Sequence, residues 1–304
     1  MPLTEFGKHI LVAVDLNDDW TNIVAHGARL ARFGKATLHL LHVVEAPSAS
    51  LKRNLPRKDL QVHQRRLRTE AEARVAAEAA ELTDVRTQVH TREGKPAKEI
   101  IAAALELKAG LIVAGAGSTE GAEWLFVGTT ADRLIRNNKV PVLTVGRESP
   151  APLKRILVPT DLDRADLGAL RVARKVAEES KGRVSVLHAF AQPSVLHGYL
   201  GNVAALRREA KATAKSDFAS WLKKAKIPAA EKQPRTLLRA CTDAVNPADA
   251  IVADAARLNM DLIVMALGGL SILESFMIGA VAERVIRNLP CSLLTLPQGW
   301  AKRR

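Results

Sequence analysis

Cysteine is nearly absent: Cys241 and Cys291 are the two in 304 residues. Two thiols cannot build a disulfide framework, and this pair lacks the close spacing of a metal site, so a reducing, cytoplasmic setting is expected. Aromatic residues are scarce too, with a single Tyr. That removes the basic–aromatic interleaving on which single-stranded nucleic acids stack. No apolar run reaches the ~20 residues that cross a bilayer. The longest, Leu262 to Leu273, is bounded by Asp261 and Glu274 and contains a Gly pair, so no membrane partner is expected. Glu5 and Lys8 around a short apolar stretch do not have the form of a secretion signal. What is present, 47% apolar and 25% charged residues, is the composition of a folded chain and excludes disorder as the main state.

Charge is one-sided. Lys and Arg exceed Asp and Glu by 13, but residues 1–150 carry only +3 of this and the remainder carries +10. A basic balance concentrates anions and holds phosphates weakly. The basic residues are nevertheless spread along helical stretches, so a solvated basic surface is favoured and no specific nucleic-acid partner is expected.

The chain repeats itself. Ile10-Leu-Val-Ala-Val-Asp15 recurs as Ile156-Leu-Val-Pro-Thr-Asp161, and His42 recurs as His188, both 146 residues further on. Leu111-Ile-Val recurs at Leu262, and Gly128-Thr-Thr-Ala-Asp-Arg-Leu-Ile-Arg-Asn recurs at Gly279, both 151 residues further on. Two constant offsets over so many positions mark a tandem duplication. Its seam lies near Glu148–Leu153, giving domains 1–149 and 150–304.

Within each copy, short continuous apolar runs alternate with helical patterns. Ile10–Val14, Leu38–Val44, Leu111–Ala114 and Val140–Val145 lack the in–out alternation of a half-exposed sheet and suit central parallel strands. Trp20 to Phe33 reads as a helix capped by Asn17 or Asp18 and stopped by Gly34. Lys58 to Leu82 and Val203 to Lys226 read as long amphipathic helices, and Lys98 to Lys108 and Thr130 to Asn137 as shorter ones. The pattern βαβαβαβαβ in each copy predicts an α/β protein of two doubly wound, Rossmann-like parallel sheets.

In such sheets ligands bind beyond the carboxyl ends of the strands, at the point where strand order reverses. Asp15 and Asp161 close the first strands of the copies, and Val43 and Ala189 follow the repeated His. The loops Gly115-Ala-Gly-Ser-Thr-Glu-Gly121 and Ala266-Leu-Gly-Gly-Leu-Ser271 follow the Leu-Ile-Val strands. Gly128-Thr-Thr opens a helix whose free amides and dipole favour an anion.

The duplicated strand-end Asp, the Leu-His-Val turn, the Leu-Ile-Val strand with its Gly loop, and Gly-Thr…Arg-Leu-Ile-Arg-Asn…Pro-Val-Leu-Thr-Val together resemble the universal stress protein family over nearly the whole chain. The resemblance implies an adenine nucleotide, ATP, ADP or AMP, with or without Mg²⁺. Asp15 would then contact the nucleoside, the Val43 backbone the adenine edge, and Gly115 the ribose region. Ser118 stands where the family has its second glycine, and Gly128, Thr129 and Thr130 would meet the phosphates. In the second copy Thr160, Asp161, Ala189, Gly269 and Gly279 are the equivalents. Both loops depart from the family pattern: Ala266 and Ala280 replace a glycine and a hydroxyl, Glu120 and Glu123 would repel phosphates, and neither loop contains Lys or Arg. The first copy is therefore expected to bind better than the second.

Each of these residues also has a structural reading. Asp15 can hold its loop by accepting backbone N–H bonds, and His42 and His188 read as hydrogen-bonded core histidines. Cys241 and Cys291 read as packing residues, Arg133, Arg136, Arg284 and Arg287 as an ion-paired face, and Trp124, Phe126, Phe276 and Met277 as loop residues packing into the core. No catalytic constellation and no metal-ligand spacing stand out. The leading reading is a non-catalytic nucleotide-binding or signalling protein of the stress response with an unidentified protein partner. The alternatives are a slow ATP hydrolase and a nucleotide-independent, chaperone-like interaction protein. The resemblance also implies an intrachain pseudo-dimer through Val140–Val145 and Cys291–Leu296, leaving any homodimer to another surface.

Overall fold

The computed structural model describes residues 4–16, 20–47, 49–54, 56–117, 128–137, 139–146, 149, 152–193, 202–229, 231–242, 245–268 and 279–300. These fall into two compact units, 4–117 with 128–152, and 153–300.

In unit 1 a short 3₁₀ turn, Thr4–Phe6, precedes β1 (His9–Val14), α1 (Trp20–Gly34), β2 (Thr37–Glu45), α2 (Ala49–Asn54) and α3 (Arg57–Glu81). β3 (Thr87–Gly94), α4 (Pro96–Glu106), β4 (Leu111–Gly115), α5 (Thr129–Asn137) and β5 (Val142–Val145) complete it. Its strands are parallel in the order β3-β2-β1-β4-β5. The apolar runs sit where both faces are covered: Leu11, Val12, Leu38, Leu40, Leu111 and Ile112 are fully buried.

Unit 2 repeats the plan with β6 (Arg155–Thr160), α6 (Arg164–Ser180), β7 (Arg183–Ala191), α7 (Val203–Lys224) and β8 (Arg235–Cys241). It ends with α8 (Pro247–Arg257), β9 (Leu262–Ala266), α9 (Ala280–Arg287) and β10 (Ser292–Leu296). The strand order is β8-β7-β6-β9-β10, again parallel. The protein is thus α/β, with two tandem doubly wound domains. Strand order reverses between β1 and β4 in one unit and between β6 and β9 in the other.

Details differ from the sequence reading. β5 begins at Val142 rather than Val140, because Pro141 has no N–H to donate, although its carbonyl accepts from Ile112. The α4 helix begins at Pro96, a residue whose missing N–H costs nothing at a first helical position. Gly34 does not stop α1; it is the last helical residue, and the left-handed turn falls on Lys35, φ 51°. Lys181 plays the same part after α6, at φ 52°. A side chain in that region costs about 1 kcal/mol, so Lys181→Gly is expected to raise stability by about 0.5–1 kcal/mol in urea unfolding. The expected cap residues Asn17 and Asp18 lie outside the described residues.

Candidate functional site

Three neighbouring strands of unit 1 bring the expected residues to one end of the sheet. β1 pairs with β2 as far as Val14 opposite His42 and then stops, leaving Asp15 exposed at the strand end. Val43 continues β2, pairing with Arg92 of β3, and has no β1 residue opposite it. The His42 ring is tied back to the strand end, its Nδ1 2.9 Å from the Val14 carbonyl oxygen. A carbonyl only accepts, so Nδ1 donates this bond. Leu16 then turns the chain at φ 62°, a conformation costly for a branched side chain. Its carbonyl is held by Arg74 Nη2 of α3 at 3.1 Å.

On the other side of β1, β4 runs to Gly115, and the chain re-enters at Gly128. The Ala116 amide donates to Val145 O at 2.9 Å, and the Gly128 amide donates to Ala116 O. A Cβ on Gly128 would lie 3.3 Å from Gly117 Cα and 3.4 Å from Ala116 O, a tight fit against backbone where the helix start meets the strand end. The α5 amides of Thr129, Thr130 and Ala131 have no intrahelical acceptor, as in any first turn, whereas Asp132 N already reaches Gly128 O. Thr129 is exposed and Thr130 half-buried. The Gly128 amide is spent within the loop, on the Ala116 carbonyl.

Unit 2 builds the same corner and fills it differently. His188 Nδ1 meets the Thr160 carbonyl at 3.0 Å, and Leu162, 146 residues after Leu16, adopts φ 72°. Trp221 Nε1 of α7 donates to Asp163 O at 2.8 Å, doing with an indole what Arg74 does in unit 1. Asp166 stands where the first copy has Trp20. Its Oδ2 accepts from the Thr160 hydroxyl at 2.9 Å and the Asp161 amide at 3.1 Å, and Asp161 Oδ1 accepts from Asp163 N. Both candidate side chains, Thr160 and Asp161, are thus engaged in holding their own turn. Ala189 lies half-buried opposite Arg239 of β8. Gly279 is exposed, and a Cβ there would meet no atom of the described residues within 4 Å, unlike Gly128. Ser118 and Gly269 lie outside the described residues, as do Trp124, Phe126, Phe276 and Met277.

Burial, reinforced by the neighbouring Asp161 carboxylate, pushes the Asp166 carboxyl up to about 8. A raised carboxyl binds a proton in the folded chain that the unfolded chain has released, so this group lowers stability as pH climbs from about 4 through 8. Asp166→Asn keeps the acceptor and removes the titration. The stability change between pH 5 and pH 9 is expected to shrink by at least about 2 kcal/mol, read by urea unfolding at both values.

The remaining candidates are structural. Both cysteines are buried, and burial pushes the Cys291 thiol up to about 12, which makes it inert. Arg136, Arg284 and Arg287 pair with Asp132, Asp249 and Glu283. What sequence reading missed is the pairing of His39 with His9 and His90 on adjacent strands, and the buried Asp166. Only the second had a signal, since the 146-residue offset sets an Asp opposite an apolar Trp.

The family model for the universal stress protein family matches this chain twice, over residues 7–146 and 152–297, so the chain belongs to the universal stress protein family. Universal stress protein MJ0531 of Methanocaldococcus jannaschii is 43% identical over 60 residues, a match that covers 19% of this chain and 35% of that relative. A universal stress protein from Archaeoglobus fulgidus superposes with a TM-score of 0.66 at 18% identity, covering 96% of this chain and 98% of the other. The functionally unknown protein PA1789 from Pseudomonas aeruginosa gives a TM-score of 0.68 at 17% identity, covering 99% and 96%. At such identities the structural likeness speaks for the fold.

Proposed function

We propose that this universal stress protein binds an adenine nucleotide in unit 1 and uses it as a non-catalytic, signalling ligand in the cytoplasm. The observation that carries the reading is the convergence in unit 1 of an exposed Asp15, the unpaired β2 edge at Val43, and the open first turn of α5 at Thr129 and Thr130. The roles of Asp15, Val43, Gly115, Gly128, Thr129 and Thr130 are those stated above. A glycine approach and free amides suit a phosphate. Among the described residues no group of three or more His, Cys, Asp or Glu gathers to hold a metal. Mg²⁺ would therefore enter with the nucleotide, held by its phosphates and the Thr129 hydroxyl.

The set Thr160, Asp161, Ala189, Gly269 and Gly279 is read as the weaker, nucleotide-independent partner, because Thr160 and Asp161 are bound to Asp166 and Asp163 N. Calorimetric titration of the whole chain with ATP tests this. Gly128→Arg, which drives a side chain into the loop–helix contact, is expected to weaken binding at least about 100-fold, a loss of about 2.7 kcal/mol. Unchanged affinity in the folded variant would remove the site. A single-turnover assay with labelled ATP and Mg²⁺ is expected to show no hydrolysis that depends on Asp15 and Thr129; such hydrolysis would establish a slow hydrolase instead. The intrachain pseudo-dimer, any homodimer and an unidentified protein partner belong to the same proposal. Light scattering of the chain and of an isolated first copy tests the assembly, and a strictly monomeric first copy would count against it.

A further inference from the structure

A groove of about 870 Å³ runs along one flank of α3, from Arg57 in its first turn to Glu72, and Lys52 of the preceding α2 lines it as well. From Arg57 to Glu72 an α-helix rises about 22 Å. Its charges are unevenly used. Arg68 Nε lies 2.8 Å from Glu72 Oε1, and its Nη1 lies 3.8 Å from Glu93 Oε1 at the end of β3. Both acids of the groove are thus spent on one guanidinium. Lys52, Arg57 and Arg65 are exposed to the solvent, and none of them has an ion-pair partner among the described residues. Cations left uncompensated along a cleft draw anions into it. Pro56 precedes α3 and makes no side-chain cap, so the free first-turn amides and the positive end of the helix dipole act in the same sense. The floor is fixed, since Gln64 Nε2 donates to Glu45 O at 3.0 Å and Leu60 is buried. Asp15, Val43, Gly115, Gly128, Thr129 and Thr130 do not line this groove, nor does Arg74, which reaches the Leu16 turn.

We infer that the groove holds an extended, acidic segment of a partner protein. Its length takes about seven extended residues, whereas a small anion would occupy one end only. Gln61 and Thr69 stand exposed along it, and each offers both a donor and an acceptor, as a peptide main chain requires. A lone carboxylate or phosphate would ask for donors alone. Among the described residues that line the groove there is no Phe, Tyr or Trp, so the bases of a nucleic-acid strand have nothing to stack on. The carboxylates of the segment meet Lys52, Arg57 and Arg65, and its uncharged residues run on past Arg68 toward Glu93. The segment belongs to the protein partner already proposed, on which this reading rests, and it needs no nucleotide.

The probe is an amidated, fluorescein-labelled heptapeptide of four glutamates followed by three glycines, titrated with the whole chain at low salt and read by fluorescence anisotropy. Wild type is expected to bind it, and more weakly as salt rises. Lys52→Glu with Arg57→Glu and Arg65→Glu is expected to weaken binding at least about tenfold, and Arg65→Gln alone about threefold. Arg208→Glu with Lys211→Glu and Lys215→Glu makes the same change of net charge at exposed positions of α7. That variant is expected to change the affinity by less than about twofold. Gly128→Arg should leave peptide binding intact, which keeps this outcome apart from that of the nucleotide site. No binding by wild type, or equal losses in the two triple variants, would overturn the groove. An oligothymidylate of equal charge bound as tightly as the peptide would overturn the choice of partner.

Discussion

Asp261→Ala is expected to cost unit 2 about 2–3 kcal/mol, the penalty for taking the shared acceptor from two backbone amides, the Arg155 guanidinium being largely exposed. Asp261 precedes β9 and is 5% exposed. Its carboxylate accepts from the backbone amides of Lys154 at 2.9 Å and Arg155 at 2.8 Å, and from the Arg155 guanidinium at 2.7 Å and 3.1 Å. Its own amide donates to Arg155 O at 2.7 Å. One side chain thus fastens the start of β6 to the start of β9, across the reversal in strand order. Without it two part-buried amides lose their acceptor. Urea unfolding at pH 7 reads the loss, and a cost below about 1 kcal/mol would mean that β6 and β9 do not depend on this staple. Unit 1 solves the same problem by exclusion. Gly110, 151 residues earlier, donates its amide to His9 O at 2.8 Å, but a Cβ there would lie 1.8 Å from the Phe6 carbonyl oxygen. The two copies share a backbone and demand opposite residues at one position.

The second large effect is acid lability in unit 1. His9, His39 and His90 occupy adjacent parallel strands, with His39 Nε2 3.0 Å from His9 Nδ1 and His39 Nδ1 3.0 Å from His90 Nε2. Each neutral imidazole has one donor and one acceptor, so three rings form a chain with every central nitrogen satisfied. His39 is 2% exposed, and its burial, followed by His90, His9 and Arg86, depresses it to about 4. Burial also lowers His90 and His26, the latter partly offset by its bond to Ser149 O. The sign follows directly. Below about pH 6.5 the unfolded chain takes up protons that the folded chain refuses, so stability falls until the folded value near 4 is passed. His39 alone accounts for about 3 kcal/mol over that interval. His39→Leu is expected to flatten the difference between urea unfolding at pH 7 and pH 4.5 by most of that amount. Equal pH dependence in both proteins would show that the imidazole chain does not set acid stability.

The strands that sequence reading located were those buried on both faces, such as Ile10–Val14 and Leu111–Ala114, because burial of that kind leaves a continuous apolar run. β3 and β8 escaped it. Each pairs with a single neighbour, and residues such as Gln88, Arg92 and Arg235 keep the edge polar, so the run dissolves into an ordinary helix–loop pattern. The short α2 escaped for lack of length. At the candidate site the residue types and their strand ends were legible through the duplication. Which of them are already engaged was not, since the bonds of Thr160 and Asp161 to Asp166, and the use of the Gly128 amide by Ala116, are tertiary facts.

In the proposed function, only the first of the two sister domains binds a nucleotide. Stoichiometry measures this most directly: equilibrium dialysis of ATP against the whole chain is expected to give one molecule bound per chain, abolished by Gly128→Arg and unaffected by Asp161→Asn. Two molecules per chain, or one that survives Gly128→Arg and disappears with Asp161→Asn, would contradict it.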